Sequence, residues 1–379
     1  MASTLPKILR TDFPLFHQCI LHSSAVSRAA PHSRRASSSW IPPTTRSSSP
    51  TRKDPLFRFY SLSKQNAKAP RVLITGGMGQ LGRSLANIIK YMYGSESVLL
   101  TDICKRPADF KDSTSYCYLN ILDRKAMEEA VVNHNIDTVI HFSALLSAVG
   151  EQNVELALQV NCQGVQNILN LAKDYKLKVF IPSTIGVFGE STPRSQTPDL
   201  TIQRPKTIYG VTKVFAELLG EYYTERFAWW WHNRLCNPNV YDAILHGKHT
   251  CYLSPKTTLP MMYDTDCMAS VINFILTPAE SLSLRTYNVT GFSFNPQQLA
   301  DGIRRFFPDF KVDYKICSVR QRIADSWPQS LDDSTARRDW NWKPEFDIDA
   351  TVEIMLERVS EKLKPQESTE TTTAIFATM

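Results

Sequence analysis

Two residues four apart could move a proton. Tyr209 and Lys213 form a Tyr-x-x-x-Lys pair in a stretch patterned as a helix, and four residues is about one turn, so both project from one face. A phenol titrates near ~10 and an adjacent ammonium favours its ionised form, which makes Tyr209 a candidate general base and Lys213 the group that tunes it. Thr184, at the end of an apolar run, carries a hydroxyl that could hold a substrate hydroxyl for proton loss. Alone, such a pair occurs in many helices. Its meaning depends on what stands earlier in the chain.

What stands earlier is RVLITGGMGQLG, residues 71 to 82. Its first five residues suit a strand buried on both faces, and Leu81, Leu85, Ile88 and Ile89 then recur at helical spacing, so the glycines occupy a strand-to-helix turn. Gly76, Gly79 and Gly82 can turn the chain tightly, let backbone reach a pyrophosphate and allow close helix packing. Gln80 and Leu81 open the helix whose positive end would face the phosphates. An ordinary glycine turn of an α/β protein is the plain alternative. Asp102 argues against it, because it closes the next apolar run roughly 20 residues on, where dinucleotide sites place the acid that binds the adenosine ribose. An acid there repels the extra phosphate of NADP, so NAD is the expected cofactor. The nicotinamide's positive charge would then add to Lys213 in lowering the Tyr209 phenol.

The elements that must position these groups alternate. Strands are expected at 97–102, 115–119, 138–142 and 178–183, and helices at 123–134 and 154–175, the order of a Rossmann-type doubly wound parallel sheet. Ligands in such sheets collect beyond the carboxyl ends of the strands. Asn120 and Ile121 follow the third strand, where they could flank an adenine. Ser143 and Ala144 follow the fourth and are small enough for a cofactor to lie against their backbone. Both groups could equally be ordinary loop.

Composition bounds the rest. A chain of 379 residues with 42% hydrophobic content can bury a sizeable core, and no apolar run approaches the ~20 residues that span a bilayer. Residues 1–65 are rich in Arg and Ser and poor in acids, the character of a mitochondrial transit peptide, which predicts a matrix address. A disordered basic arm is the alternative. Much of the +6 net charge lies there, so nucleic-acid binding has little support. The eight cysteines contain no Cys-x-x-Cys pair, and no metal constellation is visible. The expected layout is a leader at 1–65, a dinucleotide-binding domain at 66–260, a small α/β substrate-binding lobe at 261–363 and a disordered tail at 364–379.

Taken in order, the glycine turn, Asp102, Thr184 and Tyr-x-x-x-Lys resemble the extended short-chain dehydrogenase/reductase family. A narrower resemblance, to the threonine dehydrogenases of that family, rests on LLSAVGE at 145–151, PSTIGVFG at 182–189, PDLTIQRPKTIYG at 198–210, LPMMY at 259–263, DSWP at 325–328 and DDSTARRDWNW at 332–342. It implies oxidation of L-threonine by NAD to 2-amino-3-ketobutyrate, with Ser147, Thr184, Tyr209 and Trp327 touching the substrate and Lys213 the nicotinamide ribose. A homodimer paired through the helices at 154–175 and 208–226 is implied too. Nucleotide-sugar epimerases and dehydratases share the glycine turn and Tyr-x-x-x-Lys, and a non-catalytic NAD-binding protein is a further alternative.

The resemblance breaks between Tyr223 and Leu253. Relatives continue there into a sixth strand, a glycine-rich loop and a GTTDYA helix, whereas this chain reads RFAWWWHNRLCNPNV at 226–240. The expectation is that the sixth strand is missing and activity impaired. Read one base later, the codons for 230–240 can encode Gly-Gly-Thr-Thr-Asp-Tyr-Ala, which points to a lost exon and a frame slip and which the coding DNA tests.

Overall fold

The computed structural model describes residues 58–59, 69–106, 114–227, 231–235 and 247–363. The chain enters through β1 (Val72–Thr75), turns at the glycines into α1 (Gln80–Tyr93), and returns through β2 (Val98–Asp102) to β3 (Ser115–Tyr118). α2 (Arg124–Asn133) starts where the Asp123 carboxylate accepts the Ala126 N–H at 3.0 Å, a side-chain cap. β4 (Thr138–His141) leads to the single turn α3 (Ser147–Gly150). The long helix expected over 154–175 is three pieces, α4 (Val154–Leu158), a π turn over Gln159–Gln163 and α5 (Gly164–Tyr175). β5 (Lys178–Thr184) and α6 (Ile208–Phe227) follow.

β1 to β5 pair in parallel in the order β3-β2-β1-β4-β5, the Rossmann arrangement the alternation predicted. Side chains alternate across the sheet as a period of two requires. Ile74 and Phe180 enter a core with Leu85, Ile89, Phe274 and Tyr287, whereas Leu73, Val179 and Ile181 enter the opposite one with Leu169 and Ala216. Both faces are covered, which is why β1 and β2 read as continuous apolar runs.

The expected loss of the sixth strand is corrected. β6 (Trp231–Leu235) lies parallel to β5, with Ser183 beside Arg234 and Thr184 beside Leu235, and its other edge pairs with β9 (Thr286–Asn288). A strand slot between two paired neighbours is filled through backbone N–H and C=O groups, which every non-proline residue carries, so polar composition does not bar WHNRL from it. Residues 228–230 and 236–246, which include the rest of the anomalous stretch, lie outside the described residues.

The remainder interleaves with the large sheet. β7 (Lys248–Cys251) and β8 (Leu259–Met261) leave it, α7 (Asp264–Leu276) and β9 return to it, and β10 (Phe292–Phe294), α8 (Pro296–Arg304) and β11 (Lys311–Tyr314) leave again. β10 pairs antiparallel with β8, and β11 parallel with β7. α9 (Ser318–Asp325), α10 (Ser334–Trp340) and α11 (Ile348–Leu363) complete the chain. The substrate lobe expected at 261–363 therefore draws strands from before 261 and gives β9 to the large sheet. Among the described residues no helix is long and apolar enough to cross a membrane.

A second correction concerns the leader. Phe59 is fully buried, 0% exposed, in the core that holds Ile74 and Phe274. Beside it, Arg58 Nη1 donates to Asp266 Oδ1 at 2.8 Å and Nη2 to the Lys343 carbonyl at 3.0 Å, with the guanidinium 5.9 Å from the Trp342 ring centroid. Burial pushes the Asp266 carboxyl up, opposed by the N–H groups of Glu345 and Phe346 and by Arg58. Residues 58–59 thus belong to the folded body. Residues 1–57 and the tail at 364–379 lie outside the described residues.

Candidate active site

Gly76 has φ +67°, and a Cβ there would sit 2.8 Å from the Ser143 nitrogen and 2.9 Å from the Phe142 carbonyl carbon. A Cβ on Gly82 would sit 2.7 Å from both the Gly76 oxygen and the Gly77 Cα. Neither position admits a side chain. Gly79 caps α1 without a side-chain hydrogen bond, so its first-turn N–H groups, with Gln80 and Leu81, remain available to an anion. Such a cradle fits a dinucleotide pyrophosphate. Asp102 is where the spacing predicted, at the end of β2, and its carboxylate accepts Met78 N–H at 3.0 Å and Cys104 N–H at 3.1 Å. Its remaining lone pairs suit ribose hydroxyls, and its attachment to Met78 fixes it relative to the glycine turn.

Beyond β3, Asn120 is exposed and its Oδ1 accepts Leu122 N–H at 3.0 Å. The Ile121 side chain is buried in the core and lies beneath Gly164, so it cannot flank an adenine and only its backbone is left for that part. Ser143 and Ala144 follow β4 half-buried, with the Ser143 backbone directly against Gly76. Two asparagines hold these loops. Asn161, in the π turn, exchanges hydrogen bonds with the Leu145 backbone at 2.8 and 2.9 Å and donates to Thr212 Oγ1 at 3.1 Å, and Asn167 Nδ2 donates to the Ile121 carbonyl at 3.0 Å. Sequence reasoning missed both, although a polar residue on the buried face of an amphipathic helix was a readable signal.

The proton-moving residues meet at the end of β5. Lys213 Nζ donates to the Pro182 carbonyl at 2.7 Å and lies 5.7 Å from the Tyr209 ring centroid. Thr184 Oγ1 accepts Gly186 N–H at 3.1 Å. A Cβ on Gly210 would sit 2.2 Å from the Gly186 carbonyl oxygen, so the glycine after Tyr209 lets α6 press against the turn that follows Thr184. From Gly186, an ideal Cβ would lie 3.5 Å from Thr184 Oγ1 and 4.0 Å from Trp327 Nε1. That residue brings Thr184 and Trp327 together. Gly186 and Trp327 line a cleft of about 230 Å³ together with Phe188, Glu190, Lys206 and Thr207 among others. Ser147 opens α3, and Glu151 just beyond accepts the Ile208 N–H at 2.7 Å, which ties that turn to the start of α6.

The electrostatics depart from expectation. Burial pushes the Tyr209 phenol up, and Lys213 does not reverse this, because its ammonium is bonded to a carbonyl and is itself pushed down to about 8 by burial, against the pull of Glu217. The predicted depression of the phenol is absent with Lys213 beside it.

The model of the NAD dependent epimerase/dehydratase family matches residues 72–238. L-threonine 3-dehydrogenase, mitochondrial, of Sus scrofa is 47% identical, with 79% of this chain and 85% of that protein covered. The chain belongs to the L-threonine 3-dehydrogenase family. Its fold is that of the family, and its cofactor is NAD. A solved L-threonine dehydrogenase from Phytophthora infestans aligns with TM-score 0.74 and 44% identity, covering 77% of this chain and 100% of the other. An uncharacterised epimerase/dehydratase of Staphylococcus haemolyticus is 36% identical, with 77% of this chain and 98% of that protein covered. Within the Sus scrofa match, 79% of this chain's 379 residues, about 300, spans 317 matched positions, so over the matched region this chain falls short by roughly 18 residues.

Proposed function

We propose that this chain catalyses the NAD-dependent oxidation of L-threonine at its hydroxyl-bearing carbon, and that its turnover is impaired by the departure from the family between 226 and 246. The observation that carries the reading is the meeting of Thr184, Trp327 and the Tyr209–Lys213 helix around Gly186. When bound, NAD supplies a hydride acceptor and a positive charge. Thr184 Oγ1 holds the substrate hydroxyl and Tyr209 takes its proton. Lys213 and Asp102 hold the two riboses, and Ser147 and Trp327 flank the amino acid. Because burial raises the free phenol, Tyr209 becomes a base only beside a further cation. The product, 2-amino-3-ketobutyrate, places the reaction in threonine breakdown.

Support for impairment comes from the shortfall of roughly 18 residues and from the anomalous composition of 226–240. The test is NADH absorbance on adding L-threonine and NAD to purified residues 58–379. NADH formation supports the reading. NADH binding without turnover replaces it with a non-catalytic NAD-binding protein.

We also infer a homodimer and a mitochondrial address. For the first, Val154, Leu158, Val211, Phe215, Leu218 and Tyr222 leave apolar side chains exposed on α4 and α6. One solved relative is described as monomeric, so the pairing has to be measured. For the second, the mammalian relatives are mitochondrial and the leader is Arg- and Ser-rich.

A further inference from the structure

Glu217 is a carboxylate that the reaction does not use, yet it is 3% exposed and stands one helical turn beyond Lys213 on α6. A charge is not left in such a place without partners, because desolvation is costly unless hydrogen bonds and an opposite charge offset it. Both oxygens are bonded. Oε1 accepts the Ser183 hydroxyl, and Oε2 accepts Gln203 Nε2 at 2.6 Å.

These partners are informative. Ser183 lies between Pro182, whose carbonyl receives the Lys213 ammonium, and Thr184, whose hydroxyl lies over Gly186. Gln203 belongs to the segment that leads into α6. One carboxylate therefore joins the end of β5, which carries Thr184, to the approach to α6 and to α6 itself, which carries Tyr209 and Lys213. We propose that Glu217 is a positioning residue for this site, a buried counter-charge that keeps Lys213 protonated and a tether that holds the end of β5 against α6.

The surroundings of Lys213 fit the role. β5 contributes the Pro182 carbonyl and the Ser183 hydroxyl, the segment before α6 contributes Gln203, and the π turn contributes Asn161 through Thr212. β6 brings Arg234 to the register position beside Ser183. On α6 itself stand Tyr209, Glu217 and, a further turn on, Glu221, which accepts Thr286 Oγ1 at 3.1 Å. Burial disfavours the Lys213 ammonium and Glu217 favours it. Removing the carboxylate charge leaves burial less opposed, so Lys213 loses its proton at lower pH.

The inference rests on the reading that Lys213 holds the nicotinamide ribose, and the experiment separates the two. NADH fluorescence titrations over pH 6–10 compare the unmodified chain with Glu217→Gln and Glu217→Asp. The expected result is an affinity that falls as pH passes about 8 in the unmodified chain. In Glu217→Gln the fall comes at a pH lower by about one unit, with affinities at pH 6 within about threefold, and Glu217→Asp recovers at least half of the shift. An unmoved midpoint in a folded Glu217→Gln chain overturns the proposal. If the unmodified chain does not bind NADH, the cofactor role of Lys213 fails and a melting-temperature cycle with Lys213→Met decides for Glu217. The double variant should lose less than the two single losses together, and additive losses overturn the proposal. Should Glu217→Gln alone not fold, the double variant should, because both buried charges leave together, and its failure counts equally against the proposal.

Discussion

A phenol that burial holds above its ordinary range keeps its proton near neutrality until a cation beyond Lys213 stands beside it. For Tyr209 that makes catalysis conditional on cofactor, and Tyr209→Phe should lower NADH production from L-threonine by about 10²–10⁴-fold while changing NADH affinity by less than about threefold. Retention of more than a tenth of the turnover would remove Tyr209 as the base. Lys213 offers a pH test of stability. Its folded value of about 8 lies below the ~10.4 of an open chain, so between these values the unfolded chain binds more protons and this group makes the fold more stable as pH rises. In paired melting scans, Lys213→Met should lack that gain. Asp102→Ser removes the carboxylate that repels a 2′-phosphate and should improve NADPH affinity relative to NADH by at least about tenfold, read by fluorescence titration. The spacing of Thr184, Tyr209 and Lys213 was legible because one strand end and one helical turn fix it. Asn161 and Glu217 carried only the signal of a polar residue on a buried helix face; their roles were not legible, because they depend on partners, Leu145 and Ser183, that spacing along the chain does not bring together.

At the scale of elements, the approach of α1 to β1 leaves no room for a methyl group. Gly82→Ala would press a Cβ onto backbone atoms of Gly76 and Gly77, neither of which can rotate away. A lower melting temperature and weaker NADH binding together are expected, and an unchanged protein would show that the turn relaxes. Asp266 is buried and faces Arg58, and breaking such a pair from one side costs about 3–5 kcal/mol, so Arg58→Met should lower the melting temperature by at least about 5 °C. The alternation of strands and helices made β1 to β5 legible. Arg58 and Phe59 were lost within a basic, serine-rich window because their partners lie at 266 and 342–345. β6 was missed because WHNRL has no strand pattern, and pairing with β5 and β9 decides its place.

For the whole molecule, assembly and the anomalous segment are the open terms of the proposed function. Leu218 is 58% exposed on α6, and if that face joins two copies, Leu218→Glu should turn a dimer into a monomer in sedimentation with the melting temperature of each copy nearly kept. Replacing residues 226–246 with the corresponding Sus scrofa segment should raise turnover at least about tenfold if impairment is local to that stretch. The doubly wound order was readable from periodicity, whereas the interleaving of the smaller strand pairs was not, because nothing local tells β9 to return to the large sheet while β8 and β10 pair apart from it.

The Arg58 clasp also sets a clock on synthesis. Its anchors, Asp266, Lys343 and Glu345, emerge last among the parts it joins. At about 5–20 residues per second, a ribosome that has made Arg58 needs roughly 15–60 s more to reach Glu345. During that interval Phe59 has no finished core to enter, so the front of the nascent chain stays open to chaperones and proteases until nearly the whole sequence has been translated.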